Sequence, residues 1–155
     1  MCEVRWKMAT YRRNLLVDLI TESKRRRWLC VPPIVYCLFD HSITMVSQPD
    51  VYWSGHLEFA QEANPLVNFV MVRSHLFYHL LPFVWLAIVS LVILKVPRSL
   101  ALWISLSVTL GHMFCACTWF YFKEGGYYLS LLVCLSCAGV LSVSLGNWHT
   151  WDEKK

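Results

Sequence analysis

Charge is scarce in this chain. Only 15% of its 155 residues are Asp, Glu, Lys or Arg, whereas 57% are hydrophobic, and the apolar residues fall in long blocks joined by short polar connections. That scarcity excludes an ordinary soluble domain and fits an integral membrane protein. No internal repeat or low-complexity tract is present, which argues against a self-contained carrier built from duplicated halves. No small-residue cleavage site follows the basic run Lys24–Arg27 and the apolar stretch WLCVPPIVYCLF, and Asp40 interrupts that stretch. The segment is therefore retained rather than removed as a signal peptide. Met8 is an alternative start to Met1, with the same topology. The segment HLFYH lacks the glutamate of HExxH, which sets aside ordinary zincin chemistry.

Basic residues are abundant at one place only. Eight of the fourteen precede residue 28, so the net charge of +4 describes one end of the molecule and not a nucleic-acid-binding surface. Leu15, Leu16, Leu19 and Ile20 recur there at helical spacing among Arg12, Arg13, Asp18 and Glu22, which predicts a basic interfacial lead over residues 1–27. Four spans follow, at about residues 28–47, 65–94, 99–122 and 127–146, each near the ~20 residues needed to cross a bilayer. Pro32 and Pro33 suit the first turn of the first span. Residues 147–155 form a tail. The lead, the KVPR turn at 95–98 and the tail carry most of the basic charge, whereas residues 48–64 hold Asp50, Glu58 and Glu62 and no Lys or Arg. The positive-inside rule then places both termini in the cytoplasm and that loop outside. Tyr52, Trp53, Trp119, Tyr121, Tyr127 and Tyr128 are expected in the outer aromatic belt, and Trp28, Trp148 and Trp151 in the inner one.

Seven cysteines are present, six of them inside or beside apolar blocks. CLSC at 134–137 has CxxC spacing and CAC at 115–117 could add thiolates, but a thiolate is costly in lipid, so these residues are read as small hydrophobes.

Several polar groups are harder to place in lipid. Asp40 falls about 10–12 Å from either end of its helix, near the midplane, where insertion costs about 2.5–3.5 kcal/mol and calls for a partner. Thr44 lies one turn later on the same face. Asn64-Pro65 reads as an N-cap followed by proline at the first helical position, after Glu58 and Glu62. Arg73, His75 and His79 are expected in the outer half of the second span, the two histidines on one face. Pro82 cannot bond the carbonyl of Tyr78 and is expected to kink that span. His112 in the third span falls about 15 Å below the outer surface. The expected polar site therefore comprises Asp40, Thr44, Glu62, Asn64, His75, His79 and His112, opening outward. His56 and His149 are expected at the interface.

Three functions suit such a site. Asp40, His75, His79 and His112 form a candidate ligand set for zinc or another divalent metal, and Glu62 as base would make the site hydrolytic. A midplane acid beside histidines also suits a polar-ligand site or a proton or ion pathway. Alternatively, the cluster only specifies helix packing, in a small subunit whose Gly139, Ser142, Ser144 and Gly146 admit a membrane-protein partner or a second copy. Membrane lipid is the one partner common to all three.

Asp40 and Thr44 on the first span, then Gly55, then EANP from Glu62 to Pro65, resemble a family of small uncharacterised multi-pass membrane proteins of bacteria and archaea. That family is marked by Asp-x-x-x-Thr and a later Glu-x-Asn-Pro. The resemblance covers about residues 37–70 and implies a compact helical membrane domain in which Asp40, Thr44, Glu62, Asn64 and Pro65 share one feature. It implies no activity.

Overall fold

The computed structural model describes residues 26–121 and 125–149. The expected lead before Arg26, Lys123 and the tail from residue 150 lie outside the described residues. The elements are α1 (Arg26–Val46), α2 (Asp50–Trp53), a 3-10 turn (Leu57–Phe59), α3 (Pro65–Met71), α4 (His75–Lys95), α5 (Arg98–Tyr121) and α6 (Gly126–His149). The four long helices α1, α4, α5 and α6 are long and apolar enough to cross a bilayer, and no strand occurs among the described residues. Helices suit such a sequence because each satisfies its own backbone polar groups where no water is available. Over its described residues the chain has the all-α architecture of a multi-pass membrane protein, with four candidate spans.

The spans alternate in direction. The start of α1, the end of α4, the start of α5 and the end of α6 meet in one apolar cluster of Leu29, Cys30, Val89, Ile93, Ala101 and Trp148. This is the basal end of the bundle. The opposite, loop end is covered by residues 47–74, where Met45, Tyr52, Met71 and Tyr78 pack together. Between the ends, Tyr36 of α1 packs with Val133 and Cys137 of α6 and exchanges a 2.6 Å hydrogen bond with Ser136. The two CLSC thiols divide accordingly: Cys137 is buried there and Cys134 is exposed.

Two boundaries differ from expectation for identifiable reasons. The second span starts at His75, not at Pro65. Asn64 does cap a helix, accepting from the Leu66 and Val67 N–H groups, but that helix is the short α3, which ends at Met71. Arg73 then folds back, donating to the Phe69 carbonyl at 3.1 Å and placing its guanidinium 3.4 Å from the Phe69 ring centroid. Ser74 takes extended backbone and caps α4 by accepting from Phe77 N–H. A cation and a capping hydroxyl side by side favour a helix boundary over continuation into lipid.

The first span begins earlier than expected, so Pro32 and Pro33 fall beyond its first turn and are fully buried. A proline in a helix leaves the carbonyl four residues earlier without its N–H partner. Pro33 does this to Leu29, and the buried Ser105 hydroxyl of α5 donates to that carbonyl at 2.6 Å. The sequence defect in α1 thereby becomes a fastening between α1 and α5. Pro82 is likewise accommodated inside α4, which runs unbroken to Lys95. At the entry to α6, a Cβ on Gly126 would fall on the Phe120 carbonyl, so only glycine fits there.

Candidate functional site

The polar residues that the sequence places in the membrane occupy neighbouring turns of α1, α4 and α5 in the loop half of the bundle. Asp40 of α1 accepts a 2.8 Å hydrogen bond through Oδ2 from His112 Nδ1 of α5. The two side chains are 16% and 24% exposed respectively, so the pair is enclosed but not sealed. Cys37, nearly one turn before Asp40, also lies against the His112 ring. No hydrogen bond among the described residues engages Asp40 Oδ1.

One turn further along α1, buried Thr44 accepts through its hydroxyl from the Trp119 indole N–H of α5 at 3.0 Å. Asp40 and Thr44 thus make parallel connections to α5, because i and i+4 share a helix face. His41 points the other way. Its ring stacks on Tyr78 with centroids 4.6 Å apart, and its Nε2 lies 3.3 Å from His79 Nδ1, one ring donating and the other accepting.

The loop supplies the last member. Buried Gln48 donates to the Thr44 carbonyl at 3.0 Å and to the Gln61 carbonyl at 2.9 Å, and its Oε1 accepts from Gln61 N–H at 2.8 Å. This latch holds the segment entering Glu62 against the end of α1. Glu62 Oε1 accepts from Asn64 N–H at 2.8 Å. Burial pushes the Glu62 carboxyl above its ordinary range; the Asn64 N–H opposes that rise and the negative charge of Asp40 adds to it. Glu62 therefore lies within electrostatic reach of Asp40. Glu58 behaves oppositely: it is fully exposed, and its own backbone N–H and the nearby His56 ring hold its carboxyl below the usual range.

Of the seven expected site residues, Asp40, Thr44, Glu62 and His112 gather in one region. His79 pairs with His41 instead. Asn64 serves as the cap of α3 and as a backbone donor to Glu62. His75 is the first residue of α4 and sits among loop aromatics, 4.7 Å from Tyr52 and stacked on Trp53 at 5.7 Å, so the i, i+4 pair with His79 does not converge on one ligand. The metal set Asp40, His75, His79 and His112 is accordingly not assembled, and no group of three His, Cys, Asp or Glu among the described residues is arranged to hold a metal ion.

Gln48, Trp119, Tyr78 and His41 are additions that sequence reading missed. Trp119 and Tyr52 were expected in an aromatic belt, but Trp119 turns inward to Thr44 and Tyr52 is fully buried. Trp53, Tyr121, Tyr127 and Tyr128 are exposed, as a belt requires. Gln48 carried a usable signal: an uncharged amide next to Pro49, immediately after an apolar span, can fasten two backbone segments at once. Comparison with family models, with curated proteins and with solved structures returns no match.

Proposed function

We propose that this small integral membrane protein binds a polar ligand at the layer formed by Asp40, His112 and Glu62. The ligand enters from the loop end and carries a hydrogen-bond donor or a positive charge. One observation carries this reading: the Asp40–His112 pair spends only one carboxylate oxygen on the imidazole, is incompletely enclosed, and has a second carboxylate within electrostatic reach. A carboxylate in low dielectric is stable only when its lone pairs meet donors, so the remaining oxygen favours a donor group. Helix fastening has other agents in the Ser105–Leu29 and Trp119–Thr44 bonds. The excess of basic residues in the lead, the KVPR turn and the tail supports cytoplasmic termini, which puts the site's entrance on the outer face.

A packing role for the same pair is the competing reading, favoured by the inward Trp119–Thr44 bond beside it. Thermal unfolding of detergent-purified protein against a panel of alkylammonium, guanidinium and divalent-cation compounds separates the two. Ligand binding predicts that at least one compound raises the unfolding temperature and that Asp40→Asn abolishes the rise while keeping a cooperative transition. A packing element predicts no rise with any compound.

A further inference from the structure

The two cysteine motifs of the sequence meet across the α5–α6 hairpin. Cys117, from CAC, lies four residues before the end of α5, and Cys134, from CLSC, eight residues after the start of α6. At the rise of an α-helix, both fall within about 12 Å of the loop end of the bundle. The Cys117 thiol donates to the Ser130 carbonyl of α6 at 3.9 Å. Cys134 follows Ser130 by one helical turn and shares its face. The thiols of Cys117 and Cys134 are accordingly neighbours, with Cys137 the next sulfur beyond them. Cys137 is buried against Tyr36 and Val133, whereas Cys134 is exposed and Cys117 half-buried.

A disulfide between helices needs backbones that approach closely. At the start of this hairpin they do, since a Cβ on Gly126 would fall on the Phe120 carbonyl. The surroundings select the oxidant. Leu131, Leu132 and Leu135 are exposed around Cys134, on a helix apolar enough to cross the bilayer, so a co-reactant reaches this thiol through lipid. The same environment disfavours the thiolate that exchange with a water-soluble disulfide requires. We infer that Cys117 and Cys134 form a reversible redox dithiol whose oxidant is a lipid-dissolved quinone. Each thiol gives up one proton and one electron and the two sulfurs join. The quinone takes both protons and both electrons and becomes the hydroquinone. In the oxidised form the S–H donor to Ser130 is gone and the bridge holds α5 to α6 in its place.

The test uses the full chain, reduced and reconstituted in phosphatidylcholine nanodiscs, with decylubiquinone as the oxidant. Lys123 is the one Lys or Arg between the two cysteines, so trypsin applied after denaturation separates them unless a disulfide joins the fragments. In the wild type the quinone removes two of the seven alkylatable thiols, mass mapping assigns the bridge to Cys117 and Cys134, and dithiothreitol restores both. Cys117→Ser and Cys134→Ser keep all their remaining thiols, whereas Cys115→Ser and Cys137→Ser still lose two. Oxidised glutathione, confined to water, leaves the wild-type thiols reduced. The mapping of the wild type needs no variant, so it decides the matter should a serine variant fail to fold. Retention of all seven thiols after the quinone, a bridge between Cys134 and Cys137 instead, or equal oxidation by glutathione disulfide would each overturn the inference.

Discussion

The basal and loop ends of this bundle are held by different forces. At the basal end Leu29, Ile93, Ala101 and Trp148 fill the space among four helices, and the Ser105 hydroxyl meets the carbonyl that Pro33 leaves free. In lipid, such packing gains little from excluding water, so close contact and dispersion carry it. At the loop end the helices are held by directional bonds, from His112 to Asp40, Trp119 to Thr44 and Gln48 to the loop backbone. A bundle closed by apolar packing at one end can tolerate a costly acid at the other.

Substitutions should expose this difference. The largest effect is expected from His112→Ala, which strands the Asp40 carboxylate and should destabilise the protein by about 3 kcal/mol in reversible detergent unfolding. Asp40→Asn, which keeps an acceptor for His112 and removes the charge, should cost only about 1 kcal/mol. Ile93→Ala at the basal end should come next, at about 2 kcal/mol from the cavity it leaves. Thr44→Val, which leaves the Trp119 N–H without its acceptor, should cost about 1 kcal/mol and blue-shift or broaden the indole emission.

The smallest expected effect is a slope with pH. The folded Glu62 carboxyl lies above its unfolded value, so its contribution to stability is fully present below the ordinary glutamate range and is lost as pH rises through the raised value. Glu62→Gln should flatten that decline in an unfolding series from acidic to neutral pH. Glu58 has the opposite sign: its lowered carboxyl contributes above the ordinary range and loses that contribution as pH falls. Glu58→Gln should therefore leave the Glu62 decline in place.

The spans were legible because hydropathy and length act over some twenty residues at once. Asp40 and His112 were legible as a pair because helix rise converts sequence position into depth, and polar residues at similar depth on different helices tend to meet. Depth says nothing about rotation around the helix axis, and that is where the metal set failed: His79 turns to His41, and His75 turns to Tyr52 and Trp53. The break at Val72–Ser74 was missed because α3 and α4 are both apolar, and the boundary depends on one arginine folding back over Phe69 and one serine cap. The inward turn of Trp119 depends on a tertiary contact that no local pattern encodes.

The account rests on the bond between α1 and α5, and a double-mutant cycle measures it directly. Unfolding free energies of the wild type, Asp40→Ala, His112→Ala and the double variant, taken in one detergent at one pH, give the coupling between the two side chains. A coupling of about 1.5 kcal/mol or more is expected, with the double variant less damaged than the sum of the singles. Additivity within about 0.5 kcal/mol would mean that the acid and the imidazole do not interact, and the polar layer would not exist.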